Sequence, residues 1–127
     1  MRKKRPRKRD RRHLEAIAQL PSVISGKVPV QVCHIRHKDI RFDKPQTGMG
    51  IKPDDKWVLP MTPEEHAEQH SMSEYDFWWI HGIDATIMAD ELHSVWDDTL
   101  DTHGAILIMR RIILLDIARR NVHDLSN

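Results

Sequence analysis

His66 and His70 stand four residues apart in the run Thr62-Pro63-Glu64-Glu65-His66-Ala67-Glu68-Gln69-His70. Thr62 is a good N-cap, Pro63 suits the first helical position and Glu65 completes a capping box, so a helix is expected over about 63–71. On a helix this spacing puts both imidazoles on one face, one turn apart, where they can share a metal ion. Nine histidines in 127 residues give about 0.5 such pairs by chance, so position carries more weight than spacing. The pair lies in the first turns of a helix that follows a strand, and His34 falls at the end of an earlier strand. A histidine there that is not a ligand can serve as general base, because imidazole titrates near neutrality. The others read differently. His13, His93, His103 and His123 fall on helices among charged neighbours and are expected at the surface. His81, just before Gly82, suits a helix C-terminus. His37 either contacts phosphate or is solvated.

The elements that must position these groups follow from capping and periodicity. Asp10 caps a first helix over about 11–20, with Leu14, Ile17 and Ala18 on one face, and Pro21 stops it. Ser22 to Gly26 reads as a turn. Val28 to Ile35 is rich in β-branched residues and suits a strand. His37 to Asp55 is a polar loop punctuated by Pro45, Gly48, Gly50 and Pro53, and Lys56 to Leu59 is a short second strand. Ser73 with Asp76 starts a helix holding Phe77, Trp78 and Ile80 and ending at Gly82. Asp84 caps another, with Ile87, Met88, Leu92, Val95 and Trp96. The last helix runs from about 104 to 122. Its stripe of Ile106, Met109, Ile113 and Ile117 is widened by Leu107, Ile112, Leu114 and Leu115. A helix that apolar is buried or lies at a subunit contact, so a homodimer through it is an open option.

Composition bounds the class. Hydrophobic residues make up 39% and charged residues 31%, which suits one compact domain with a modest core. The single cysteine, Cys33, excludes an intrachain disulfide framework and suggests a reducing compartment. No apolar run reaches the ~18 residues of a membrane span. The basic N-terminus has no hydrophobic stretch behind it, so a secretory signal is not expected. A cytoplasmic location fits these features. The net charge of +1 conceals an asymmetry. Residues 1–12 hold Arg2, Lys3, Lys4, Arg5, Arg7, Lys8, Arg9, Arg11 and Arg12 against Asp10 alone, a net +8, and the rest of the chain is −7. Such a segment is by default a solvated, disordered extension. A dense cationic arm on an acidic body points to a polyanion partner, most often nucleic acid.

Several short motifs occur in a familiar order. They are Arg9-Asp10-Arg11-Arg12-His13-Leu14, Leu20-Pro21-Ser22-Val23-Ile24-Ser25-Gly26, Cys33-His34-Ile35-Arg36, Gly50-Ile51-Lys52-Pro53-Asp54-Asp55 and Pro60-Met61-Thr62-Pro63-Glu64-Glu65-His66, followed by Phe77-Trp78-Trp79 and Gly82-Ile83-Asp84. Over about residues 9–92 the chain resembles the HNH, or His-Me finger, endonucleases, in particular phage-encoded members of recombination type. The resemblance implies an α+β fold with a small ββα-metal core at about 28–71. An N-terminal helix precedes the core and several C-terminal helices over 73–122 follow it, all in one domain, 13–127, behind a basic arm, 1–12. A phage gene would place the protein in the bacterial host cytoplasm.

Two departures from the family pattern carry information. Relatives carry two Cys-x-x-Cys pairs around a structural zinc, and here those positions are Ser22, Ser25, Thr62 and Glu65. Hydroxyls and one carboxylate do not replace four thiolates, so the structural zinc is expected to be absent. Packing must compensate, with Trp78, Trp79 and Trp96 as candidates. The Asn that orients the base in many relatives falls at Trp57, with Asp55 nearby to take its place. The residue before the base, often a metal ligand, is Cys33, which either binds the metal or does not.

The implied activity is low-specificity, metal-dependent hydrolysis of DNA phosphodiesters. His34 would deprotonate the attacking water, with Asp55 behind it. His66 and His70, with or without Cys33, would hold one divalent ion (Mg²⁺, Mn²⁺, Ni²⁺ or Zn²⁺). Arg36, Lys52 and the basic arm would contact DNA. The competing expectations are a catalytically weak DNA-binding or recombination-accessory protein on the same fold, and a protein-interaction module.

Overall fold

A computed structural model of the chain describes residues 7–47 and 52–125, with side chains up to residue 122. Arg2, Lys3, Lys4 and Arg5, the loop glycines Gly48 and Gly50, and the side chain of His123 lie outside the described residues. Among those residues the fold is α+β, with five α-helices and one two-stranded antiparallel sheet. The order is α1 (Arg11–Ile17), β1 (Gln31–His34), β2 (Val58–Met61), α2 (Pro63–His70), α3 (Glu74–His81), α4 (Ala85–Ser94) and α5 (Thr102–Leu125), with 3-10 turns at Ile40–Phe42 and Val95–Asp97. No helix among the described residues is long and apolar enough to cross a membrane.

The caps expected from the sequence form. Asp10 accepts from the His13 amide, Ser73 from Asp76 and Asp84 from Ile87. Thr62 and Glu65 make both halves of the capping box, with Pro63 in the first turn. Gly82 ends α3 at φ 67°, a left-handed conformation that favours glycine. Both strands are displaced from their expected positions. β1 starts three residues later than Val28 and ends one short of Ile35, and β2 is shifted forward to include Pro60. Proline survives there because its carbonyl points away from β1 and accepts from the Val23 amide at 3.1 Å, so its missing N–H falls on the outer edge. In the pairing, Gln31 faces Met61 and His34 faces Val58.

The core lies between the sheet, α1, α3, α4 and the first half of α5. Ile17, Leu20, Leu59, Phe77, Leu92, Met109 and Ile113 are fully buried. Met109 and Ile113 match the expected stripe of α5, while Ile106, Ile112 and Ile117 are partly buried against it. Leu107, Ile108, Leu114 and Leu115 stay 43–59% exposed. Of the tryptophans proposed to compensate for zinc, Trp78 and Trp96 are buried but Trp79 is 85% exposed.

Two expectations about the N-terminal region are corrected. His13 is not at the surface. It is fully buried with Ala16, Ile17 and Leu20, because the buried face of α1 is rotated by one residue from the Leu14–Ile17–Ala18 face. Its Nδ1 accepts from the Trp96 indole N–H at 2.9 Å, and its ring packs edge-on to that of His93 at 4.8 Å. Nor is residues 1–12 wholly a free arm. The Lys8 amide donates to Asp54 at 2.8 Å, the Lys8 carbonyl accepts from the Asp55 amide at 2.9 Å, and Arg11 and Arg12 belong to α1. Unpaired buried backbone is costly, and these bonds fasten the segment from Arg7 onward to the domain.

Burial, followed by repulsion from His93, lowers the His13 pKa to about 4. The neutral imidazole is therefore favoured in the fold. In the unfolded chain the ring takes up a proton near its ordinary value of 6.5, so stability is full above that pH and is lost as pH falls from there toward 4. The loss is about 3 kcal/mol. Thermal melts at neutral pH and near pH 5 should show about 2 kcal/mol of it, and His13→Phe should flatten the dependence over that range. An unchanged dependence in His13→Phe would assign the acid sensitivity elsewhere.

Candidate functional site

Asp55, 2% exposed, is the centre of the polar site. Its carboxylate accepts from the Arg7 guanidinium, from the Asp10 amide at 2.9 Å and from His34 Nε2 at 3.1 Å. Burial alone would raise its pKa, but these hydrogen bonds outweigh that and hold it at about 2. It is a fixed carboxylate at neutral pH. Partnership with a carboxylate selects the imidazole tautomer with hydrogen on Nε2 and leaves the Nδ1 lone pair as the basic site. Burial lowers the His34 pKa, Asp55 opposes this, and Arg7 and Lys52 add to the lowering. His34 is therefore neutral at pH 7 and able to accept a proton. Arg7, paired with Asp55, and the exposed Lys52 are the cations that act on it.

The local chain explains the placement. His34 closes β1, where the Ile35 amide donates to the Trp57 carbonyl at 2.8 Å. This bond brings the residues just before β2 alongside the end of β1, and Asp55 lies among them. Trp57, where the resemblance implies an Asn, is 5% exposed and packs edge-on against Phe42. Asp55 supplies the polar partner instead.

His66 and His70 meet on one side of α2. Their Nε2 atoms are 2.9 Å apart and their ring centroids 4.5 Å apart. His66 Nδ1 is 2.7 Å from the Gln31 side-chain oxygen, which fixes the ring and leaves Nε2 for the inward side. Burial, then the neighbouring His70, lowers the His66 pKa, favouring the unprotonated form that binds metals. Two nitrogens on a tetrahedral zinc lie about 3.3 Å apart for bonds near 2.0–2.1 Å. At 2.9 Å the two Nε2 atoms are hydrogen-bonded to each other, so a shared cation would have to displace that proton and open the pair by about 0.4 Å.

Cys33 does not join them. It is 3% exposed, its thiol donates to the Gln31 carbonyl at 3.5 Å, and burial pushes its pKa up to about 12. A thiol held protonated is a poor ligand. Among the described residues, no three His, Cys, Asp or Glu side chains stand together as a metal-binding group. His34 and Gln31, the partner of His66, occupy opposite ends of β1, and an odd separation turns their side chains to opposite faces. The dyad His34–Asp55 and the pair His66–His70 are thus two separate constellations.

Ser22, Ser25, Thr62 and Glu65, expected from the resemblance to stand at zinc positions, lie close together. Ser22 donates to Glu65 at 2.6 Å across 43 residues, Ser25 also bonds Glu65, and the Thr62 amide donates to the same carboxylate at 2.8 Å. Burial raises the Glu65 pKa, but these bonds outweigh it and lower it overall. The carboxylate is engaged by hydroxyl and amide donors within the fold, and the set holds no thiolate.

The expected nucleic-acid contacts divide. Arg7 is committed to Asp55, Arg11 pairs with Glu15 at 3.1 Å, and Arg12 lies 4.1 Å over the Trp96 ring. Lys8 and Arg9 are exposed beside Arg7. The Arg36 amide donates to both oxygens of Glu74 at 3.1 Å, tying the end of β1 to α3. His81 bonds Glu68 at 3.1 Å rather than only ending α3.

Sequence reasoning missed the supports behind the dyad. Asp10 accepts from His93 Nε2 at 3.0 Å and donates its amide to Asp55, so α4 and α1 both brace the carboxylate. The spacing of His13, Ala16, Ile17 and Leu20 marked the buried face, and no sequence signal marked Arg7 or His93. A search for related proteins adds nothing to this geometry: no family model, no curated protein and no solved structure matches the chain.

Proposed function

We propose that this protein is a metal-dependent DNA endonuclease with a His-Me finger core, in which His34 is the general base. The observation that carries the reading is the His34–Asp55 dyad, a neutral imidazole oriented by a buried carboxylate, with the exposed Lys52 near enough to act on it. Strand, loop, strand and helix follow one another as the ββα unit requires, and the convergence of Ser22, Ser25, Thr62 and Glu65 is what the resemblance implies for the old zinc positions.

In this reading the Nδ1 atom of His34 takes a proton from water as the water attacks phosphorus. Asp55 holds the ring and stabilises the imidazolium that forms. Lys52 and Arg9 hold the DNA backbone, and the basic segment adds salt-sensitive affinity. His66 and His70 are the residues that would hold a divalent ion, and they stand apart from His34 across β1. DNA binding must therefore draw the pair and the dyad onto one phosphate, where such an ion would supply Lewis-acid stabilisation of charge on the phosphoryl and leaving oxygens. The host cytoplasm fits this role, and the exposed Leu107–Leu115 face of α5 suits a second copy of the chain.

The test is supercoiled plasmid incubated with the full chain and Mg²⁺, Mn²⁺, Ni²⁺ or Zn²⁺. Nicking is expected with at least one ion, and His66→Ala combined with His70→Ala should abolish it at every ion concentration. Nicking by the double variant at the parent rate would remove the pair from the mechanism. A second reading, DNA binding without cleavage, is favoured by the absence of a third ligand beside the pair among the described residues. DNA retention on a gel without nicking in any metal would select it.

A further inference from the structure

We infer that the open groove between α3 and the loop after β1 is a base-stacking subsite for unpaired nucleotides, an inference that deepens the nuclease reading and rests on it. The groove has a volume of about 840 Å³, with residues 37–41 on one side and Tyr75, Trp78 and Trp79 on the other. Trp79 is 85% exposed and Tyr75 57%. Their four-residue spacing puts the two rings on one side of α3, about 6 Å apart along its axis. Tyr75 packs against His37 with centroids 4.8 Å apart and planes tilted by 41°, and donates its hydroxyl to the Lys38 carbonyl at 3.2 Å, so its ring is held in place.

One buried nitrogen of a lining residue, Trp78 Nε1, has no hydrogen-bond partner among the described residues, whereas His37 Nδ1 faces the Glu74 carboxylate at 4.0 Å. Buried polar atoms are nearly always paired, so the indole N–H points to a ligand with a polar edge. A nucleobase has such an edge, and its face stacks on exposed aromatic rings. Aliphatic side chains of a docking protein would cover the rings and leave the indole N–H unpaired. The two carboxylates at the groove, Asp39 and Asp84, are both bound by Arg41, at 2.9 Å and 3.0 Å, which offsets one of their two charges. Lys38 adds a cation at the edge. His37 follows His34 by three residues, so the groove begins within about 11 Å of the candidate base. A strand held at His34 can therefore lay a neighbouring base into it. Bases inside a duplex are stacked and paired and do not reach such a platform.

The test uses the full chain carrying His34→Ala, without added metal, so that nothing is cleaved. Fluorescence anisotropy compares a labelled oligothymidine with a duplex of equal length at one salt concentration. The single strand should bind more tightly. Adding Trp79→Ala should weaken it about tenfold, the scale of one lost base stack, and leave the duplex within about twofold. Trp79 is too exposed for its removal to threaten folding. Equal weakening of both ligands, or of neither, would overturn the inference and leave the nuclease reading standing. Lost self-association in Trp79→Ala with unchanged single-strand affinity would assign the groove to a second copy and also overturn it. A parent that binds no DNA would instead defeat the nuclease reading, and the inference with it.

Discussion

His34→Ala should lower the nicking rate by about 10² to 10⁴, the usual contribution of a positioned general base, while the melting temperature stays close to that of the parent. Removing the ring deletes the proton acceptor but leaves Asp55 bound to Arg7 and the Asp10 amide. The pH dependence provides a second check. The His34 pKa is lowered, mainly by burial, so the base form is already present at neutrality. Activity should fall only as pH drops below about 6.5, the ordinary histidine value. A variant that nicks within tenfold of the parent would show that another group activates the water.

Asp55→Ala should damage both activity and stability. The carboxylate is 2% exposed and serves Arg7, the Asp10 amide and His34 together. Its loss leaves a half-buried guanidinium and a backbone N–H without their acceptor. Breaking a buried ion pair from one side costs about 3–5 kcal/mol. Arg7 keeps 28% of its side-chain surface, so the lower end applies. For a domain of this size that is a fall of about 10 °C in melting temperature. Nicking should drop with it, since the imidazole loses the bond that sets its tautomer. The two variants separate chemistry from architecture: His34→Ala loses only the first, Asp55→Ala both. If Asp55→Ala melted with the parent, the carboxylate would not be the anchor described.

What the sequence made legible was mostly local. The caps at Asp10, Thr62, Ser73 and Asp84 rest on side chains that reach their own backbone, and all four form. The His66–His70 approach follows from helical spacing alone. The long-range closure of Ser22 on Glu65 was legible only through the family resemblance, which pairs those positions across 43 residues. Tertiary context defeated the rest. His13 looked like a surface residue among arginines, yet it is buried, and Trp96, 83 positions away, provides the indole donor to its Nδ1. Arg7 looked like one more cation of a free arm, and only the fold shows that Asp55 claims it. The second strand was expected to stop at Leu59, short of Pro60, because the proline's outward-facing edge depends on where Val23 runs. Cys33 was open as a ligand until its burial against the Gln31 carbonyl was seen.

The separation of the dyad from the histidine pair makes one measurement decisive. Crystals of the His34→Ala chain with Mn²⁺ and a DNA oligonucleotide would locate the ion by anomalous scattering and the backbone by its phosphates. One ion is expected on the Nε2 atoms of His66 and His70, with a phosphate bound to it and lying where residue 34 faces the scissile bond. An ion elsewhere, or DNA whose phosphates pass the pair and never approach residue 34, would contradict a shared hydrolytic centre.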